Sequence, residues 1–392
     1  MAAVTGNAAM ADIKALPKGL PYRCWVEVSR GQIAANFRAI RNVVGPGVDI
    51  MPVVKADAYR HGATEVSRTL EEQGARWLAV SNTDEGVALR DAGIQTRILV
   101  MADFLRFTRE AMIAYGLTPV LHSLQEIAEL DELAKQRGTR LRYHLKLDSG
   151  MGRLGVRDDA VEIVNAIHAS ANLELEGLMT HFASAGNYQA KQTDEQIAWF
   201  DWVMDGLATA GIRPAIVHMS STIPIAYGRR AAWRSMVRPG HSIYGYVSPA
   251  RGHAPAKLLD VKPALSWRAT ILSVKEIPAG ASIGYGATFR APEPMRVAVL
   301  AAGYADGIPH RLGNTGSVIV HGKFAPIVGA VSMDLTTIDV TRSPETQIGD
   351  AATLLGREGD LSIDAQQIAR LARTISYSVL CGIHARVKRI YI

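Results

Sequence analysis

Residues 118 to 147, TPVLHSLQEIAELDELAKQRGTRLRYHLKL, contain one full structural period of this chain. Thr118 to His122 is a short apolar run of strand length. Ser123 then opens a helical stretch to Arg137: Glu126, three residues on, completes a capping-box pattern, and Gly138 sits just past the end. Leu141 to Leu147 resumes a strand. The same period recurs on both sides, with strand candidates at Ile50 to Val54, Arg76 to Val80, Arg97 to Met101, Leu173 to His181, Ala215 to Ser220 and Ser235 to Gly240. Eight strands alternating with helices predict a closed (β/α)8 barrel rather than an open doubly wound sheet. Such barrels place their chemistry at the C-terminal ends of the strands.

Beyond about residue 255 the helical periods give way to alternating strands at Ala269 to Lys275, Arg296 to Ala301, Ser317 to Val320 and Leu335 to Val340. Turn residues punctuate them at Pro278 to Gly280, Gly313 to Gly316 and Gly322. This predicts a mostly antiparallel β domain with one helix near Ile363 to Ala372. The expected division is a tail over 1–21, a barrel over 22–255 and the β domain over 256–392. The strand-like Arg23 to Val28 precedes the barrel period, so residues 22–29 are candidates to pair with the β domain.

Composition narrows the class. Of 392 residues, 48% are hydrophobic and 20% charged, as in globular proteins. The net charge of +6 is spread along the chain, too dilute for nucleic acid but suited to a small anionic ligand. Cys24 and Cys381 form neither a disulfide framework nor a metal spacing, which suggests a reducing, cytoplasmic setting. The longest apolar run, Val297 to Ala302, is strand-sized, so no membrane span is expected. Residues 1 to 20 lack the apolar core and cleavage site of a signal peptide.

Several strand ends carry chemistry. Lys55 follows the first barrel strand within Val54-Lys55-Ala56-Asp57-Ala58-Tyr59-Arg60-His61. A lysine at a barrel mouth is desolvated, which lowers its pKa and makes it an imine-forming nucleophile; a surface lysine is the other reading. Gly150 to Gly155 match G-x-G-x-x-G, but four βα units precede them and Arg153 sits inside the run, so a close-bending loop fits better than a dinucleotide fingerprint. His144, Lys146 and Asp148 share one strand face; for Lys146, a paired structural lysine and a functional one stand side by side. Thr180 and His181, His218 to Thr222 and Arg238 to Gly240 close the later strands, where Ser221, Thr222 and Gly240 suit a phosphate. In the β domain, Tyr285 lies between two glycines at a tight bend, an exposed phenol or simply a packed turn residue.

Taken together these segments resemble the alanine racemase family. The motifs that match are Val54 to Tyr59, Lys146 to Gly155, Thr180-His181-Phe182, Arg238-Pro239-Gly240, Gly284-Tyr285-Gly286, Gly303 to Gly307 and Ser332-Met333-Asp334, in the family's order from about Arg23 onward. The resemblance implies a homodimeric racemase that uses pyridoxal 5'-phosphate to interconvert L- and D-alanine, supplying D-alanine for peptidoglycan. By it, Lys55 holds the cofactor covalently and is the base on one face, while Tyr285 of the partner subunit is the base on the other. Tyr59, Ser221, Thr222 and Gly240 hold the phosphate, Arg238 contacts the pyridine nitrogen, and His181 lies on the ring. Arg153 contacts both cofactor and the substrate carboxylate, Lys146 is carbamylated, and Tyr304, Met333 and Asp334 line the substrate pocket. No metal is implied.

The sequence departs from the family pattern at Arg60, where glycine is common, at Ser221-Thr222, usually Asn-Ser, at His310, usually arginine, and at Ala385, where some members carry a phosphate-binding tyrosine. These sites concern cofactor grip and substrate entrance rather than Lys55 and Tyr285. The rival readings are a racemase of the same build acting on serine or a larger amino acid, a basic amino-acid decarboxylase, and a cofactor-carrying barrel. The decarboxylases rely on a cysteine near an acid, which Cys381 lacks, and the carriers lack a β domain.

Overall fold

The computed structural model describes residues 22–392; the tail expected over residues 1–21 lies outside them. After β1 (Cys24–Val28) and the helix Arg30–Val44 come eight strands: β2 (Asp49–Ile50), β3 (Trp77–Val80), β4 (Arg97–Val100), β5 (Thr118–Leu121), β6 (Leu141–Lys146), β7 (Leu173–Met179), β8 (Ile216–His218) and β9 (Met236–Val237). Strands β3 to β8 form one parallel sheet in chain order, and β2 pairs in parallel with β9. Two seams close the ring. Val54 N–H donates to Ala79 O (2.8 Å) and Ala79 N–H to Pro52 O (2.9 Å), while Arg238 N–H donates to Ser220 O (2.8 Å).

All eight expected strands exist, and their C-terminal ends are shorter than the apolar pattern suggests. β7 stops at Met179 and β9 at Val237; beyond them Thr180, Arg238 and Pro239 keep only single backbone bonds to the neighbouring strands as the chain turns out at the barrel mouth. The helix after β5 spans Leu124–Gln136 and is capped by Ser123, whose Oγ accepts from Glu126 N–H at 3.1 Å. The expected reciprocal bond does not form. Glu126 Oε2 instead accepts from His122 N–H at 2.5 Å, one residue further back, so the capping box is one-sided.

The second half carries β10 (Leu265–Ile277), the hairpin β11 (Ser282–Ile283) and β12 (Phe289–Arg290), β13 (Met295–Leu300), β14 (Ser317–Val320), β15 (Lys323–Pro326), β16 (Thr336–Asp339), β17 (Ala351–Glu358), β18 (Leu361–Ile363) and β19 (Lys388–Tyr391). Its main sheet runs β15-β14-β17-β10-β1-β19, with β13 and β16 continuing from β10. The first strand of the chain thus sits inside the last sheet, antiparallel to β10 and parallel to β19. Val26 and Val28 are fully buried there, each worth roughly 1.5–3 kcal/mol of transfer free energy. Trp267 Nε1 donates to Cys24 Sγ (3.0 Å), and burial pushes that thiol up to about 12, so it is unreactive. Strand β17 escapes the alternation rule because Ala352 to Leu355 are buried on both faces; after them comes Gly356, where a Cβ would lie 2.6 Å from Ser266 Oγ. The helices Ala365–Ala372 and Ser376–Cys381 finish the domain.

The core carries an unusual load of buried imidazole. His61, His144, His218 and His241 are at most 1% exposed, and burial holds all four below the ordinary imidazole range, His61 at about 4 and His241 at about 3. An unfolded chain takes up these protons near pH 6.5 and the folded chain does not, so stability is full above that pH and lost on acidification. Between pH 7.5 and 5.5 the three most strongly lowered, His61, His218 and His241, cost about 4 kcal/mol in total. Urea unfolding at the two pH values should show this fall; a flat profile would mean that the rings are charged in the fold.

Candidate active site

Lys55 opens a short helix, Lys55–Tyr59, whose handedness is the reverse of normal. Ala56, Asp57, Ala58, Tyr59 and Arg60 have φ of 53°, 54°, 52°, 52° and 66°. Such backbone costs about 1–2 kcal/mol per residue and persists only where its surroundings hold it. Glu85 holds one end, accepting from Ala56 N–H and Ser81 N–H (both 2.7 Å), and Asp57 Oδ1 accepts from Ala63 N–H (2.7 Å) at the other. Arg60, the departure from glycine, therefore sits in backbone that favours glycine; its Nε donates to Cys381 O (3.3 Å). The turn aims Lys55 into the mouth. Desolvation, then the charge of Arg153, lowers its pKa, against the smaller pull of Glu85.

Arg238 lies almost fully buried at the end of β9. Nη1 donates to His218 Nδ1 (2.9 Å) and His218 O (2.5 Å), and Nη2 to Thr180 O (2.6 Å) and, weakly, His181 Nδ1 (3.5 Å). Burial lowers this guanidinium to about 9. His181 falls to about 3 through burial and then the charges of Arg238, Lys146, Arg153 and Lys55. These four cations therefore converge on one mouth. Lys146, pointing into the lumen from the end of β6, is brought to about 8 by burial and by Arg153 and Arg238.

The carboxylates nearby are committed elsewhere. Asp148 accepts from the N–H groups of Gly150 (3.1 Å), Met151 (2.8 Å) and Gly152 (3.0 Å). Burial works against its charge, but these amides outweigh burial and hold the carboxyl below the usual range. This also decides the G-x-G-x-x-G run: its amides bind the chain's own carboxylate instead of a pyrophosphate. Gly155 is needed because a Cβ there would meet Asp148 N at 2.7 Å.

Beside Lys55, Tyr59 is buried against Tyr244 and Tyr377, ring centroids 4.7 and 5.9 Å away. A Cβ on Gly240 would lie 2.5 Å from Tyr59 Oη, so glycine lets the phenol reach that loop. Thr222 Oγ1 accepts from Gly240 N–H (3.3 Å) and Ser242 N–H (3.2 Å), so the threonine of the Ser221-Thr222 departure keeps a hydroxyl in the cradle. Ser221 is the N-cap of the helix Thr222–Ala226 and makes no side-chain capping bond. Among the described residues no three His, Cys, Asp or Glu side chains group as metal ligands.

The remaining candidates lie on the β domain, in the open. Tyr285 is 76% exposed on a turn between Gly284 (φ 72°) and Gly286 (φ 70°). Met333 is 54% exposed, and Tyr304 and Asp334 are also at the surface. Their two loops are zipped together: Tyr304 N–H donates to Ser332 O and Ala305 N–H to Met333 O (both 2.9 Å), and a Cβ on Gly303 would collide with Ser332 O at 2.2 Å. Arg386 braces both loops, bidentate to buried Asp306 (2.7 and 2.8 Å) and reaching Asp334 (2.8 Å).

Residues 28–249 match the family described as alanine racemase, N-terminal domain, and residues 264–391 match alanine racemase, C-terminal domain. The chain belongs to the alanine racemase family. It is 40% identical over 368 residues to the alanine racemase of Halothermothrix orenii, covering 94% of this chain and 96% of that one. Among solved structures, alanine racemase from Clostridium difficile 630 superimposes with a TM-score of 0.89 at 31% identity, covering 95% and 96% of the two chains. That of Bartonella henselae, described with covalently bound pyridoxal phosphate, does so with 0.84 at 27%, covering 95% and 100%. Alanine racemases are isomerases, and this chain is accordingly an amino-acid racemase.

In this racemase, Lys55, Tyr59, Lys146, Arg153, His181, Ser221, Thr222, Arg238 and Gly240 gather at or beside the barrel mouth, whereas Tyr285, Tyr304, Met333 and Asp334 lie on the exposed β-domain surface. Ala385 is exposed, and the phenols beside Tyr59 are those of Tyr244 and Tyr377, the latter also stacked on His241 at 3.9 Å. Sequence reasoning missed Tyr377, Glu85 and Ser242, none of which stands in a local pattern that marks it.

Proposed function

We propose that this racemase interconverts L- and D-alanine with pyridoxal 5'-phosphate bound at the barrel mouth and two bases on opposite faces. The observation that carries the reading is the convergence of four cations, Lys55, Lys146, Arg153 and Arg238, beside only two neighbouring carboxylates, Glu85 and Asp148, whose oxygens already accept from backbone N–H groups. Such a site fits a phosphate-bearing aldehyde and a substrate carboxylate, and the hydroxyls of Tyr59, Ser221 and Thr222 with the backbone of Gly240 fit the phosphate. When bound, pyridoxal phosphate draws electrons from the substrate's α-carbon and so acidifies its proton.

The side chains divide the remaining work. Lys55 Nζ, already depressed in pKa, would hold the cofactor covalently and, as a free amine, would take or return the α-proton on one face. Arg238 would hold the pyridine nitrogen as a donor that keeps its own proton, which would leave that nitrogen unprotonated and restrain side reactions such as transamination. Arg153 binds the substrate carboxylate. Lys146, at about 8, is partly the neutral amine at pH 7 to 8; its Nζ attacks carbon dioxide, releasing a proton and leaving a carbamate whose negative charge orients Arg153. Tyr285 of the partner subunit supplies the base on the opposite face, and the partner's Tyr304, Met333 and Asp334 close the substrate pocket. The exposure of this set in a single chain supports a homodimer with shared sites. In this reading the barrel over 22–255 holds the cofactor and the β domain over 256–392 supplies the second base. Two free cysteines, one buried and one half-buried, suit a cytoplasmic enzyme making D-alanine for peptidoglycan. No helix among the described residues is long and apolar enough to cross a membrane.

The deciding experiment follows L-alanine in deuterium oxide with purified protein and added pyridoxal phosphate. Deuterium entering the α-position with D-alanine appearing is the expected result. Cofactor binding without exchange of alanine, but with exchange of serine or lysine, would move the substrate, and no exchange at all would overturn the reading.

A further inference from the structure

A buried hydrogen-bonded line runs through the barrel lumen from Arg238 toward the strand starts. Arg238 Nη1 meets His218 Nδ1 at 2.9 Å, and His218 Nε2 meets His144 Nδ1 at 2.8 Å. His144 Nε2 faces Glu176 Oε2 at 3.7 Å and has no hydrogen-bond partner among the described residues. Glu176 is gripped by Arg97 through two bonds of 2.7 Å, and the Arg97 guanidinium lies 3.8 Å over the Trp77 ring.

The protons along this line are fixed by one fact: a guanidinium only donates. Arg238 therefore forces His218 Nδ1 to accept, which puts the His218 proton on Nε2. That N–H donates to His144 Nδ1, so the His144 proton sits on Nε2 and points at Glu176. A charged His218 would set two donors against each other. The line has one polarity, two neutral rings and a carboxylate at its far end. It is also built into the backbone, since a Cβ on Gly177 would fall 2.4 Å from His144 Nδ1.

We propose that Glu176 is a positioning residue for Arg238, acting through His144 and His218, so that a carboxylate near the foot of the barrel sets the orientation of the guanidinium at its mouth. Burial opposes the Glu176 charge, but His144 and Arg97 outweigh burial and hold its carboxyl at about 2, while both rings are held below the ordinary range. The effect on turnover rests on the proposed role of Arg238 toward the cofactor; the tautomers do not.

The test has two arms. In the holoenzyme, nitrogen-15 NMR of labelled histidine, assigned with His144→Gln and His218→Gln, should show both rings neutral at pH 7.5 with the proton on Nε2. A proton on Nδ1 of either ring, or an imidazolium, overturns the proposal whether or not the protein racemises alanine. In the second arm, Glu176→Leu removes the acceptor and Glu176→Gln keeps one. Glu176→Leu should leave both tautomers as Arg238 sets them but speed pyridoxal phosphate dissociation and lower kcat about 10-fold with KM for alanine within about 2-fold, while Glu176→Gln stays within about 3-fold of the parent. Unchanged cofactor release and kcat in a folded Glu176→Leu protein would also overturn it. If Glu176→Leu does not fold, His144→Leu, which breaks the same line one step nearer Arg238, takes its place, and unchanged cofactor release and kcat in that folded variant overturn the proposal.

Discussion

Replacing Lys55 by alanine should leave a folded protein that fails to retain pyridoxal phosphate through dialysis and racemises alanine at least about 10⁴-fold more slowly, since both covalent anchorage and one proton transfer are lost. The fold should survive because no part of the core depends on the ammonium group. Lys55 is half-buried, the strained turn behind it is held by Glu85 and Asp57, and its backbone bonds do not involve the side chain. Absorbance in the visible region, residual cofactor after dialysis and the urea midpoint separate the outcomes. A variant with normal midpoint and near-normal racemisation would remove Lys55 from the chemistry. A lowered midpoint would show instead that the lysine props up the left-handed turn.

Tyr285→Phe should cost about 100-fold or more in racemisation while leaving cofactor binding intact. Its side chain is 76% exposed in the single chain, so the loss of one hydroxyl should not disturb packing. The informative readout is the asymmetry of exchange. With one base left, deuterium should still enter the α-position of one enantiomer, while interconversion nearly stops. Mixing the two inactive variants, Lys55→Ala and Tyr285→Phe, tests the shared site directly. A dimer of one of each contains one doubly damaged site and one intact site, so random exchange of subunits should restore about a quarter of the parental activity. No recovery after verified subunit exchange would place Lys55 and Tyr285 of the same chain in one site.

Much of this was legible in order along the chain. The alternation of strand and helix periods around Thr118 to Leu147 repeats eight times, and local pattern is enough to specify it, because each strand buries both faces and each helix one. Lys55, His181 and Arg238 were recognisable because strand ends in a barrel are functional positions. Strand boundaries were less legible: the apolar runs continue past Met179 and Val237 into residues that the mouth uses. The capping box at Ser123 was half right, since sequence spacing shows that Glu126 can reach back but not which amide it will choose.

The sequence by itself determined the period, hence the barrel, and the chemical kinds of group placed at its mouth. Tertiary structure decided what those groups are like. It alone curled residues 56 to 60 into a left-handed turn, since five consecutive positive φ values require restraints from Glu85 that lie far along the chain. Only the three-dimensional packing spent the glycine-rich amides of residues 150 to 152 on Asp148, left Tyr285 facing outward, and lined up Glu176, His144, His218 and Arg238. The physical reason is the range of the forces involved. Periodicity and capping act over three or four residues and are written locally, whereas desolvation and hydrogen-bond polarity depend on partners brought together from positions 20 to 94 residues apart.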